Sequence, residues 1–409
     1  MKIFISTNGC ERRLLDASVL AEYFHKNGYI VVEQAKKADL ILFIGCAFHE
    51  RLVEDSLQRI KNLQRFNKKL IVGGCLPEVE KRRLSSIFDG DTISTKDLYK
   101  IDSIIHATRI SFSDMPDANR LFRMDSFSKR FPPFQNFVLK LWDFYARNKY
   151  GRNSSVYLTF VREPTFYIRI TWGCDERCTF CTIRKSTGKF RSKPVDECLR
   201  EFKDGLKKGY RYFVLVGENT GAYGIDKGVS LPYLLRKFME IEGSYEIIIR
   251  DLNPRWLVKY AEELLEIVSS GKITKIGIAI QSGSERILRL MRRYHDIEKI
   301  KETCHLLKKR SAKLSLDGLF IVGFPTETRE DFTETLHTVD EIRFSDGFFI
   351  PFSYGESTDA RSIEPKVPTE EIKRRLRIAK DHLREQGYRC FFNRWGFLYF
   401  SDVRQFSRD

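Results

Sequence analysis

The chain has 409 residues, with 71 Lys+Arg against 55 Asp+Glu, a formal net charge of +16, and 42% hydrophobic and 13% aromatic side chains. Such a length supports two or three packed domains and the composition excludes a disordered or fibrous chain, while the basic excess favours a polyanionic partner, an anionic membrane surface or an acidic peptide. No charged-then-apolar leader opens the sequence and no run nears the roughly 18 apolar residues of a membrane helix, so a cytoplasmic protein without a membrane partner is expected, in which nine cysteines stay reduced and clustered ones serve metal or redox chemistry.

The first hundred residues alternate between strand and helix patterns. "KIFIST", "ADLILFIG" and "KKLIVGG" are short apolar β runs; "LLDASVLAEYFHKNG", "HERLVEDSLQRIKNLQRF" and "PEVEKRRLSSIF" carry helical spacing between and after them. This predicts an N-terminal doubly wound parallel-sheet domain, residues 1–98. Residues 99–164 break the rhythm as a basic, aromatic linker: 120–162 holds nine Lys/Arg, two Asp/Glu and eleven aromatics, and "FVLKLWDFYARNKYG" has the pattern of an amphipathic helix. From 165 to 387 the alternation returns. "TFYIRIT", "RYFVLVGE", "YEIIIRDL", "KIGIAIQ", "LSLDGLFIVGF" and "GFFIPFS" are six strand candidates separated by helical stretches, which predicts an α/β partial (β/α)6 barrel with right-handed connections. Residues 388–409 read as a short aromatic tail.

The cysteines fall where such sheets bind ligands. Cys10, Cys46 and Cys75 each follow a predicted parallel strand at its carboxyl end, so neighbouring strands bring three distant thiols to one shared cluster or metal. Cys174, Cys178 and Cys181 form Cys-x3-Cys-x2-Cys just after the first strand of the second array. Zinc, redox thiols and an iron–sulfur cluster all use cysteines in such spacings. No fourth Cys or His lies nearby, which points to a cluster with one iron left open. Cys198, Cys304 and Cys390 stand apart and read as structural. Further strand-end residues are candidates for a cofactor pocket: Phe180 as an apolar wall, Gly217 and Glu218 after the second strand, Gln281, Ser282 and Gly283 after the fourth, and Gly323 and Pro325 after the fifth.

Taken together, these residues resemble the radical S-adenosylmethionine methylthiotransferases. The cysteine triad alone resembles the wider radical S-adenosylmethionine superfamily; the three upstream cysteines, with "LVGENTGAYGIDKG", "IAIQSGSERILRLMRRYH", "DGLFIVGFPTETREDF" and "PFSYGESTDA", narrow it. The resemblance spans roughly residues 1–90 and 165–380. It implies an enzyme with two [4Fe–4S] clusters, one on Cys174, Cys178 and Cys181 and an auxiliary one on Cys10, Cys46 and Cys75, all six cysteines being catalytic. It also implies S-adenosylmethionine as both radical source and methyl donor, a low-potential electron donor, and conversion of an unactivated C–H bond to C–SCH3. The sequence departs from the family pattern at "GCERR", where Arg13 takes the place of Asn, at "FIGC" in place of Asn-Thr-Cys, and in having no TRAM barrel after the last helix. That last departure favours a polypeptide side chain as acceptor over a tRNA adenosine, the alternative. A non-catalytic iron–sulfur redox or binding protein is the third reading.

Overall fold

A computed structural model describes residues 1–106, 109–122, 165–356 and 358–402. Most of the predicted basic linker, with its amphipathic helix, lies outside the described residues. The first sheet contains β1 (Lys2–Thr7), β2 (Ile30–Val32), β3 (Leu40–Gly45), β4 (Lys69–Gly74) and β5 (Thr92–Ser94), all parallel, in the order β2-β1-β3-β4-β5. Every residue of β3 is buried because both faces are covered. Ile41 and Phe43 pack toward Val53, Leu57 and Ile60 of helix Glu50–Gln64. Leu40, Leu42 and Ile44 pack toward Ala17, Leu20 and Phe24 of helix Glu11–Lys26. This alternation is the doubly wound arrangement. The outer strands β2 and β5 were not expected: each has three residues, too few for a periodic signal.

The strand order reverses between β1 and β3, the crevice at which such sheets take ligands. Cys10 follows β1, Cys46 follows β3 and Cys75 follows β4, so the thiols sit on three adjacent strands. Their loops are tied together. Asn8 Oδ1 accepts from the Cys46 N–H at 2.9 Å, while its amide donates to Asp55 at 2.8 Å and Ser56 at 2.9 Å. The Cys75 N–H donates to the Gly45 carbonyl at 3.0 Å.

The second sheet starts with β6 (Thr165–Arg169). β7 (Thr171–Trp172) follows it directly and forms a small antiparallel ladder with β8 (Arg191–Ser192). β9 (Tyr212–Val216), β10 (Glu246–Leu252), β11 (Ile273–Gln281), β12 (Ser315–Val322) and β13 (Asp346–Pro351) then join β6 in parallel and in chain order. These are the six expected barrel strands. The tail departs from expectation. Residues 388–402 supply β14 (Tyr388–Phe392) and β15 (Leu398–Asp402), and β15 pairs antiparallel with both β13 and β14. All five residues of β15 are buried, so this segment is part of the sheet. Tyr388, Phe397, Tyr399 and Phe400 are buried, and Phe400 packs on Phe349 and Tyr388, while Phe392 stays exposed. Cys198 and Cys304 are fully buried in the barrel core.

Residues 109–122 run between the two units. Asn119 exchanges hydrogen bonds with the backbone of Tyr167 at 2.8 Å, and the Phe122 N–H donates to the Leu14 carbonyl. No helix among the described residues is long and apolar enough to cross a membrane.

Gly74 fixes the exit of β4 into Cys75. Its φ is +95°, and a Cβ there would stand 2.5 Å from the Gly45 carbonyl oxygen. The left-handed backbone and the clash together set the cost of a side chain. Gly74→Ala is expected to lose at least about 2 kcal/mol, read by chemical denaturation, with the Cys75 loop displaced.

Candidate active site

The N-terminal unit meets the carboxyl end of the barrel through the first turn of helix Glu11–Lys26. Glu11 pairs with Arg250 at 2.9 Å, Arg12 with Asp251 at 2.6 Å, Arg13 with Glu218 at 3.1 Å, and Asp16 with Arg169 at 2.6 Å. Helix Glu50–Gln64 makes a second seam. His49 caps it, its Nδ1 accepting from the Arg51 N–H at 3.2 Å, and its Nε2–H donates to the Pro351 carbonyl at 2.9 Å.

Between the units lies a cavity of about 170 Å³. Cys174, Cys178, Phe180 and Cys181 form one end. Arg12, Glu218, Asn219, Asp251, Gln281 and Arg293 make a polar side; Leu319, Ile321, Ile350 and Phe352 make an apolar one. Burial leaves three polar atoms of this lining without a hydrogen-bond partner among the described residues: Glu218 Oε2, Asn219 Oδ1 and Arg293 Nε. Unsatisfied buried atoms are costly, and their convergence on one cavity marks a place where a polar ligand completes them. The backbone is strained at the same rim. Asp251 and Gln281, at or next to the ends of β10 and β11, hold φ of 54° and 82°, beside breaks in strand register.

The Cys174–Cys181 loop is pinned from outside. Thr179 donates from its N–H to the Met291 carbonyl and from its hydroxyl to that of Leu290, and its own carbonyl accepts from Ala360. Arg293 Nη1 lies 3.7 Å from Cys178 Sγ. Burial pushes the Cys174 thiol up to about 12, and burial followed by the neighbouring Cys178 raises Cys181. In the upstream set, burial, then Cys75 and Cys10, raise Cys46. Burial raises Cys75 against the pull of Arg13, whose Nη1 is 3.7 Å from its sulfur. Thiols held neutral by burial and by one another ionise readily once a cation takes the sulfur. Among the described residues no three His, Cys, Asp or Glu side chains close on the spacing of a single ion. Each set offers three thiols, the donor type that iron–sulfur clusters take.

Of the residues expected to face a cofactor, Phe180, Glu218 and Gln281 line the cavity. Gly217, Ser282 and Gly323 do not. Gly217 packs on Thr171 and its carbonyl accepts from Arg12 at 2.9 Å. The Ser282 hydroxyl faces Thr335 and accepts from the Ser284 N–H, shaping the turn before helix Glu285–Leu290. Gly323 lies against Ile372, and its N–H donates to Glu327, which Arg375 holds in turn. Gly283 packs against the backbone of Glu334 and Thr335. Sequence reasoning passed over Arg12, Asn219, Asp251 and Arg293. Asn219 stands one place after a chosen residue and Asp251 near the end of the predicted strand "YEIIIRDL", so the strand-end signal reached both; Arg12 and Arg293 join the lining only in the folded chain.

The sequence profile of the radical SAM superfamily matches residues 168–339, and that of uncharacterized protein family UPF0004 matches residues 2–94. Ribosomal protein uS12 methylthiotransferase RimO of Carboxydothermus hydrogenoformans is 30% identical over 384 residues, covering 92% of this chain and 80% of that protein. The chain belongs to the radical SAM methylthiotransferase family. Another methylthiotransferase, the probable threonylcarbamoyladenosine tRNA methylthiotransferase of Archaeoglobus fulgidus, is 28% identical over 389 residues, 95% of this chain and 84% of that protein. The radical S-adenosylmethionine methyltransferase TsrM from Kitasatospora setae shares the fold, with a TM-score of 0.59 at 11% identity over 98% of this chain and 85% of that one. As a radical SAM methylthiotransferase the protein is an enzyme, and the family implies a [4Fe–4S] cluster and S-adenosylmethionine.

His49 makes the seam of this methylthiotransferase pH-sensitive. Burial, helped by Arg51, pushes its pKa down to about 4 against the pull of the Pro351 carbonyl. The unfolded chain takes up a proton near pH 6.5 that the folded chain refuses until about 4, so stability falls as pH drops through that window, by on the order of 3 kcal/mol in full. In His49→Asn, which keeps a capping side chain, this part of the pH dependence of Tm is expected to vanish.

Proposed function

We propose that this methylthiotransferase acts on a side chain of a protein or peptide, replacing an unactivated C–H by C–SCH3, with Cys174, Cys178 and Cys181 holding the radical-forming cluster and Cys10, Cys46 and Cys75 a second one. The observation that carries the reaction is two groups of three cysteines at carboxyl ends of parallel strands in abutting units, one group lining the cavity between them. When bound, these groups supply a carbon radical from S-adenosylmethionine and a methylated sulfur for the acceptor.

The chain's own residues bind and orient. Glu218 Oε2 and Asn219 Oδ1 would accept from the amino group of S-adenosylmethionine and Arg293 Nε–H would donate to its carboxylate; these are the buried atoms that otherwise lack partners among the described residues. Leu319, Ile321, Ile350 and Phe352 give the opposite wall an apolar, water-excluding face. Phe180 closes the space between Cys178 and Cys181. Arg12 keeps Asp251 at the rim at 2.6 Å, beside the entry for the acceptor.

A polypeptide acceptor is supported by relatives named for ribosomal protein uS12, at 30% identity. The second reading, a tRNA adenosine, has its own support in relatives at 28% identity named for tRNA and in the net charge of +16. Reconstituted enzyme, incubated with S-adenosylmethionine and a reductant, is offered either uS12 and short peptides or bulk tRNA. A gain of about 46 Da, one H replaced by SCH3, is expected in the polypeptide; its appearance in tRNA nucleosides alone would reverse the choice.

The cysteine sets are separable. Changing Cys10, Cys46 and Cys75 to Ala is expected to abolish methylthiolation while 5′-deoxyadenosine still forms. Changing Cys174, Cys178 and Cys181 is expected to abolish both. Loss of deoxyadenosine in a folded variant of the first set would contradict this division of labour.

A further inference from the structure

We propose that Arg13 is a positioning residue shared by the two sites, a fixed cation that sets the charge at the Cys10–Cys46–Cys75 group and holds Glu218 at the edge of the cavity. The inference rests on the cluster assignment above. Arg13 lies in the first turn of helix Glu11–Lys26, three residues after Cys10. Its side chain is only 4% exposed, and each of its three nitrogens lies near a partner, Nε and Asp16 Oδ2 making a charge contact without a hydrogen bond. Nε is 2.9 Å from Asp16, Nη2 is 3.1 Å from Glu218 Oε1, and Nη1 is 3.7 Å from Cys75 Sγ. One planar group thus touches a sulfur of one site and a carboxylate of the other.

Charge counting shows what that contact does. Arg12, Arg13, Arg169 and Arg250 face Glu11, Asp16, Glu218 and Asp251. Four cations balance four anions, so these pairs carry no net charge before any cysteine ionises. A thiolate formed at Cys46 or Cys75 is then excess negative charge in a buried place, and Arg13 is the cation in contact with Cys75. A hydrogen bond and a positive charge at a cluster sulfur favour the more negative, reduced state, because both are levers on cluster potential. Glu218 opposes that effect from the far side of the same guanidinium. An Asn, the residue that the family resemblance leads one to expect at position 13, offers an amide but no charge and is too short to bridge both groups. Here the charge at the upstream cysteines is therefore coupled to the carboxylate that faces the cavity.

The test uses the full chain with Cys174, Cys178 and Cys181 changed to Ala, so that any cluster lies on the upstream set. After anaerobic reconstitution its midpoint potential is measured by redox titration monitored by electron paramagnetic resonance. Arg13→Asn is expected to lower the potential, Glu218→Gln to raise it, and Arg13→Lys, which keeps the charge, to lie nearer the parent than Arg13→Asn. Loosening of the fold moves both single variants the same way, so opposite signs identify the electrostatic role. Should Arg13→Asn not fold, Glu218→Gln still decides: a potential equal to or below the parent's overturns the proposal, as do shifts of one sign in a folded Arg13→Asn and Glu218→Gln pair. A parent protein that takes up no cluster overturns the cluster assignment itself and the inference with it, which separates the two failures.

Discussion

Pairing Glu11, Arg12, Arg13 and Asp16 across one junction, with Arg13 and Asp16 buried and Glu11 and Arg12 half-buried, is the constraint on which the rest of the molecule depends. Ions removed from water are tolerable only when each meets its opposite, and removing one partner of such a pair costs about 3–5 kcal/mol. These four side chains meet Arg250, Asp251, Glu218 and Arg169. Those partners lie on or directly after three barrel strands, β6, β9 and β10. Sliding the N-terminal unit by a single helical turn would strand several charges at once. The junction therefore fixes orientation more than it adds net stability, and orientation is what places the two cysteine groups at one junction.

From that junction the network continues down the barrel. Arg250 reaches Asp317 at 3.2 Å, and Lys275, buried, pairs with Asp346 and lies 3.6 Å from Asp317. Burial raises the Asp317 carboxyl to about 6 against the pull of Lys275. A barrel interior is otherwise filled with apolar side chains, so this column of charge is the exception.

Much of the architecture was legible because its signals are strong and local. Each barrel strand is an apolar run of buried residues, and the cysteines stand where a parallel strand ends. The short strands β2 and β5 carried no period. Strands β14 and β15 were hidden by composition: "YRCFF" and "LYFSD" interrupted by "NRWG" read as an aromatic tail until pairing with β13 gives each ring a neighbour. The glycines and serines at strand ends divided for a physical reason. Gly217, Ser282 and Gly323 serve the close packing of turns, while Glu218 and Gln281 face the cavity. Arg12 and Arg293 belong to the site only through contacts distant in sequence, Arg12 with Asp251 and Arg293 with Cys178, which no local pattern encodes, whereas Asp251 carried the strand-end signal.

The returning hairpin adds an order of events. Cys46, Leu52, Ile350 and Phe397 form one apolar cluster, Phe397 meets the His49 ring edge-on, and the Trp395 carbonyl accepts from Arg51 at 2.7 Å. The apolar cluster at the second cysteine is thus completed by a residue about 350 positions later in the chain. Contacts so distant in sequence form only after the intervening segments are ordered, so the Cys46 cluster closes with the returning hairpin and not with the N-terminal sheet alone.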